Sequence, residues 1–368
     1  MSKLILPGLI DPHVHLRDPG QTYKEDFYTG TCAALNGGFT TILDMPNNKI
    51  PITTAEKLEE KIKIARKKIV CDVGFHFGSL GDNLNEFQKV NPPAGGKVLG
   101  LKLYLNKTTG NFLIDKTVLG KTFTSWNKSS ILPSIRLFSQ KPILVHAEDK
   151  MLDAVIRLVK KFGNKVHVCH ISTIPDLKQI IKAKKEGLRI TCGVTPHHLF
   201  LTQSDGKRLG PYGAMKPPLQ SQQNQDFLWK NLKFIDVIES DHAPHTVEEK
   251  RGEVPPFGVP GLETTLPLLL TAADSKRLTI DDIIRLCHTN PANIFNINRF
   301  DDSNHRSTVE VDMSKEYTIE NKNLFTKCKW TPFEGFKVKG GVLRVFLRGK
   351  KVFENGKILA KPGSGKIL

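Results

Sequence analysis

The chain has 368 residues, 39% apolar and 25% charged, which describes an ordinary soluble globular protein. It contains no run of about 18 apolar residues, so no membrane span is expected, and "MSKLILPGLID" does not read as a cleavable signal; the expected compartment is the cytoplasm. The formal charge of +17 comes from lysines scattered along helical patterns such as 56–68, with no basic block interleaved with aromatics, so it reads as a solvated surface and not as a nucleic-acid interface.

Short β-branched runs alternate with helical patterns from the start. The predicted strands are 4–15, 39–46, 70–78, 98–105, 141–148, 165–172, 188–198 and 234–245. Segments such as 151–162 and 176–187, with apolar residues three and four apart, lie between them and predict helices. Buried parallel strands are continuously apolar and need helical crossovers, so eight such units predict an α/β fold, a (β/α)8 TIM barrel over 8–300. Farther on, 307–313, 336–349 and 350–363 alternate like antiparallel strands, with a turn at Asn355–Gly356. They predict a small β subdomain formed by 301–368 together with 1–7.

The polar residues within this pattern are not placed at random. Predicted strands one, four, five, six and eight end in His13 and His15, Lys102, His146, His170 and Asp241. Active sites of this fold sit at the C-terminal ends of the strands. Residues i and i+2 of a strand share a face, so His13 and His15 can ligate one metal. Lys102, inside the apolar run "GLKLYL", should not be buried unpaired. If its amine carries a carboxyl group from CO₂, the cation becomes an anion able to bridge two metals. The set then holds ligands for two ions of a kind that suits zinc. The six cysteines form no CxxC pair and read as reduced core thiols.

The ordered series "HVH", "GLKLYLN", "VHAE", "CHIS" and "SDHAPH" closely resembles dihydroorotases of the amidohydrolase superfamily. The likeness extends through "MPNN", "TPHHLFL", "PGLET", "NPANIF" and "WTPFEG" to cover nearly the whole chain. It is greatest for the dihydroorotase domain of the multienzyme pyrimidine-synthesis protein and its bacterial relatives. The resemblance implies a reversible cyclisation of N-carbamoyl-L-aspartate to L-dihydroorotate plus water, the third step of de novo pyrimidine synthesis. It implies two zinc ions, one held by His13, His15 and Asp241 and the other by His146 and His170. Carboxylated Lys102 and a hydroxide would bridge them, and Asp241 would be the catalytic proton carrier. Arg17, Asn47 and His245 would grip the substrate carboxylate. Lys216, Pro260 and Gly261 would complete the substrate site, and Thr108 and Thr109 would ride on a loop, 106–112, that closes over it.

The chain departs from the animal type at Thr109, Lys216 and Gly193. Gly193 stands where that relative has a glutamate that helps Cys169 hold a third zinc, so a third zinc is not expected. A homodimer is expected, and an association with aspartate transcarbamoylase fits the resemblance. The rival readings are a hydantoinase, dihydropyrimidinase or allantoinase, which need no substrate carboxylate, and a non-catalytic partner of aspartate transcarbamoylase. The latter type loses metal ligands, and this chain keeps all six.

Overall fold

The computed structural model describes residues 3–92, 97–108, 112–129, 140–297 and 306–368. Its first element departs from the predicted single strand over 4–15. The chain makes β1 (Lys3–Pro7), breaks, and then makes β2 (Leu9–Val14). Proline cannot donate to a ladder, and Gly8 gives the clearance for the crossing: a Cβ there would lie 2.2 Å from Thr40 Oγ1. β1 and β2 accordingly belong to different sheets.

The barrel continues with β3 (Phe39–Asp44), β4 (Asp72–Gly78), β5 (Gly100–Tyr104), β6 (Ile143–His146), β7 (Val166–Val168), β8 (Ile190–Val194) and β9 (Val237–Ile238). All neighbours from β2 to β9 pair in parallel, in chain order. A bridge between Val14 and His242, with His15 N donating to His242 O at 2.8 Å, nearly closes the ring. Each predicted strand contains one barrel strand, but several runs overshoot. The run 234–245 yields only Val237–Ile238, because the chain leaves the ladder where it turns its polar residues to the barrel mouth.

The helices follow their sequence signals. Lys150–Phe162 buries Met151, Leu152, Val155 and Val159 and stops at Gly163, whose φ of +69° terminates the helix in a left-handed turn. Each fully buried Leu or Val contributes about 1.5–3 kcal/mol. Ile174–Lys185 starts directly after "CHIS", because the Thr173 side chain accepts from Asp176 N at 3.2 Å. Phe295 lies beside the buried rings of His76 and His167, 5.5 and 5.8 Å between centroids, and belongs to the same core cluster as Ile10, Leu43, Leu99 and Leu144.

The C-terminal strands are β10 (Thr308–Thr318), β11 (Lys337–Leu347), β12 (Lys350–Glu354) and β13 (Lys357–Ile358). With β1 they form an antiparallel sheet in the order β1–β10–β11–β12–β13. The β12–β13 hairpin turns at Asn355 and Gly356, φ +47° and +76°, as the Asn-Gly pair predicts. The expected boundary at 300–301 lies outside the described residues. No helix among the described residues is long and apolar enough to cross a membrane.

Candidate functional site

The C-terminal ends of the barrel strands surround a cavity of about 410 Å³. It is lined by His13, His15, Arg17, Asn47, Tyr104, Thr108, His146, His170, Lys216 and Asp241, with Ala243, Phe257 and Gly258. Of the residues at the predicted strand ends, His13, His15, His146, His170 and Asp241 line it, and Lys102 does not. Three of them sit in the left-handed backbone region that non-glycine residues rarely adopt: Arg17 (φ +61°), His170 (+38°) and Asp241 (+46°). Such backbone costs on the order of 1–3 kcal/mol per residue and clusters at functional sites.

The polar groups form two adjoining sets. In the first, His13 Nε2 and His15 Nε2 lie 3.3 and 3.1 Å from Asp241 Oδ1. Donor atoms of these three residues all lie within 4.8 Å of one another. The other nitrogen of each ring is tied down: His13 Nδ1 donates to Glu239 Oε2 at 3.3 Å, and His15 Nδ1 to Asn47 Oδ1 at 2.6 Å. In the second set, His146 Nδ1 and His170 Nε2 are 3.1 Å apart, and His146 Nε2 donates to Glu148 Oε1 at 3.0 Å. The rings of His13 and His170 join the sets, 5.2 Å between centroids. Tethering one ring nitrogen to a carboxylate or amide leaves the other free to ligate, which is the usual support of a metal-binding histidine.

Lys102 lies in β5, fully buried, with its Nζ 4.8 Å from the Tyr104 ring centroid and 3.1 Å from Cys169 Sγ. A buried ammonium facing a thiol and an aromatic ring, with no ion-pair partner among the described residues, is poorly compensated.

Burial sets much of the electrostatics. It pushes His15 down to about 3, helped by the Arg17 charge and opposed by Asp241. Burial also lowers His146 and His170. These imidazoles are therefore neutral near pH 7, the form that binds metal. His13 differs. Burial and Lys102 press it down, but Asp241, Cys169 and Glu239 outweigh them and raise it to about 10. Burial alone would raise the Asp241 carboxyl, yet His13 and His15 hold it below the usual carboxylate range. Four imidazoles and a carboxylate form a donor set that fits zinc.

The predicted substrate residues divide by position. Arg17, Asn47, Lys216 and Thr108 line the cavity. Arg17 is 6% exposed; its Nε donates to Pro244 O at 3.3 Å and its Nη2 lies 3.2 Å from His245 Nε2. No carboxylate forms an ion pair with it among the described residues. His245 is fully buried behind Arg17. Burial, with the charges of Arg17 and Lys24, pushes its imidazole down to about 3 against the pull of Glu249, so it can accept from the guanidinium. Pro260 and Gly261 line a separate small cavity with His242 and Glu263. Thr109, and Gly110 beside it, lie outside the described residues.

Sequence reasoning did not single out Glu239, Glu148 or Tyr104. The signals were present: Glu148 is two residues past His146, and Glu239, like Lys102, is a charge inside an apolar strand run. Glu239 also bears on the expectation about a third metal. It fills the space beside Gly193, where a Cβ would meet its Oε1 at 2.3 Å. With His13 and Cys169 it forms a second group whose donor atoms lie within 4.8 Å of one another.

The amidohydrolase family model matches residues 4–104. The chain is 42% identical, over 99% of its length, to the multifunctional protein CAD of Squalus acanthias, of whose length it spans 16%. It is 38% identical to the dihydroorotase of Pyrococcus horikoshii, a match covering all of this chain and 85% of that protein. Among solved structures, the L-hydantoinase (dihydropyrimidinase) from Arthrobacter aurescens superposes with a TM-score of 0.89 at 25% identity, covering 99% of this chain and 88% of that one.

Proposed function

This chain belongs to the dihydroorotase family, and we propose that it interconverts N-carbamoyl-L-aspartate and L-dihydroorotate plus water, the third step of de novo pyrimidine synthesis. The observation that carries this reading is the pairing, in one cavity, of the buried histidine–carboxylate set with an arginine that lacks a carboxylate partner. His13, His15 and Asp241 would hold one zinc and His146 and His170 a second, with Lys102, carboxylated on Nζ, between them. Bound zinc supplies Lewis acidity, polarising the amide carbonyl and acidifying water.

The chain's own residues do the rest. Arg17 receives the substrate carboxylate that takes no part in the reaction, in the bidentate manner its planar fork allows. His245 and Pro244 O hold that fork in place. Asn47 has its Oδ1 engaged by His15 and its amide group left for the substrate. Asp241, kept ionised by the neighbouring imidazoles, is the resting base. In hydrolysis it takes the proton of the attacking water and passes it to the ring nitrogen. In cyclisation it takes the proton of the carbamoyl nitrogen and passes it to the departing oxygen, which leaves as hydroxide and becomes water with the one proton taken up from solvent. Lys216 adds a second positive charge to the cavity, suited to a dianionic substrate.

A cyclic-amide hydrolase of the hydantoinase type is the second reading, favoured by the structural likeness to L-hydantoinase. Arg17 separates the two, since a substrate without a carboxylate leaves its charge unmatched. We further propose a zinc pair without a third ion, a homodimer, and association with aspartate transcarbamoylase. The six buried free cysteines fit a reducing, cytoplasmic setting. The units 8–300 and 1–7 plus 301–368 are kept as the division of the chain. The test is turnover of both carbamoyl aspartate and dihydroorotate by zinc-loaded protein. Turnover of uncharged cyclic amides alone would favour the second reading.

A further inference from the structure

We infer that Glu239 is a positioning residue that sets both halves of the metal centre at once, and that Gly193 is the clearance that admits it. This rests on the metal-centre reading proposed above. Glu239 follows β9 directly, and its side chain is fully buried. Its Oε1 accepts from the backbone N–H of His170 at 2.5 Å. Its Oε2 accepts from His13 Nδ1 at 3.3 Å and lies 3.5 Å from His167 Nε2. One carboxylate therefore ties the ligand on β2 to the ligand just past β7.

Each contact has a consequence. Donation from His13 Nδ1 leaves Nε2, the atom 3.3 Å from Asp241, as the nitrogen that can ligate once its proton has left. A histidine so backed is oriented and made more basic, and losing such a backing group costs about 10–100-fold in metal affinity. The bond to His170 N holds a residue whose φ of +38° needs external support. No lysine or arginine pairs with this carboxylate among the described residues; imidazole and backbone N–H groups satisfy it. A charge so deeply buried must be met by such donors.

Gly193 in β8 makes the arrangement possible. A Cβ there would stand 2.3 Å from Glu239 Oε1 and 2.5 Å from its carboxyl carbon. Any side chain at 193 must displace the carboxylate. The role of this glycine is steric, and it is coupled to Glu239.

The experiment uses the full chain loaded with zinc, as wild type, Glu239→Gln, Glu239→Ala, Gly193→Ala and the double variant Gly193→Ala/Glu239→Ala. Zinc per chain, zinc affinity by chelator competition, and thermal unfolding of the stripped protein are measured on each. The expected result is two zinc ions in the wild type and a roughly 10–100-fold weaker affinity in Glu239→Ala and Gly193→Ala. The double variant should be no weaker than Glu239→Ala alone, because both changes remove one interaction. If Glu239→Ala does not fold, Glu239→Gln keeps the shape and the acceptor for His170 N, and should still weaken zinc binding. Affinities in both Glu239 variants within threefold of wild type would reduce Glu239 to packing and overturn the inference. Three zinc ions in the wild type and two in Glu239→Ala would overturn it in favour of direct ligation. A wild type that binds no zinc would refute the metal-centre reading first, and this inference with it.

Discussion

Replacing Arg17 by methionine removes a guanidinium that is 6% exposed and has only a backbone carbonyl and an imidazole as polar partners among the described residues. A substrate carboxylate received there makes two charge-assisted hydrogen bonds of about 1.5–3 kcal/mol each. Their loss, about 3–6 kcal/mol, corresponds to a fall of roughly one-hundred- to twenty-thousand-fold in kcat/KM. The assay compares hydrolysis of dihydroorotate with that of dihydrouracil, the same ring without the carboxylate, and follows thermal unfolding alongside. Arg17→Met should lose the stated factor on dihydroorotate and leave any activity on the neutral ring unchanged. Its Tm should stay level or rise, because a buried cation without an anionic partner is costly to keep. A change under threefold on dihydroorotate, an equal loss on both rings, or a fall in Tm of many degrees would refute the reasoning.

Three other perturbations bear on the metal centre. Lys102→Met fills a fully buried position with an apolar chain of similar length; zinc content and turnover should collapse while the stripped protein unfolds at an unchanged or higher temperature, and retained activity would contradict the bridging role. Glu148→Gln removes the charged acceptor of His146 Nε2 at a position near the surface, so chelator competition should show roughly 10–100-fold weaker zinc binding with little change in Tm. Proton and metal compete for His13, whose imidazole is raised to about 10 by Asp241, Cys169 and Glu239 against burial and Lys102. Below that pH its proton must leave before zinc binds, so affinity should fall by at least about tenfold for each unit drop in pH, and a flat profile from pH 6.5 to 8.5 would contradict this.

The barrel was legible because its strands are short, apolar and separated by helical periodicity, and each predicted run contains one barrel strand. The ends were less legible. In 165–172 and 234–245 the candidate ligands His170 and Asp241 lie past the ladder and line the mouth, so strand propensity overshot to reach them. The break at Pro7–Gly8 depends on contacts with Thr40 and Ser307 that no local pattern announces. The candidate metal-ligating set stood out because polar residues at strand ends are expensive unless used. Its supporting carboxylates did not. Glu239 acts across the barrel on His13 and His170, 226 and 69 residues away, and its place depends on the missing side chain of Gly193. His245 was expected to help grip the substrate carboxylate; it is fully buried, 3.2 Å from the Arg17 guanidinium, a contact that no local pattern announces.

The most direct test of the central claim is a single preparation on which zinc is counted and both directions of the reaction are followed across pH. Cyclisation consumes one proton, because the carbamoyl aspartate dianion becomes the dihydroorotate monoanion and water. A true catalyst of this step must therefore bring the mixture to a ratio that shifts about tenfold towards dihydroorotate for each unit the pH falls. The account predicts two zinc ions per chain and approach to that ratio from either side. A zinc-free protein inert in both directions, or one that opens only rings lacking a carboxylate, would contradict it.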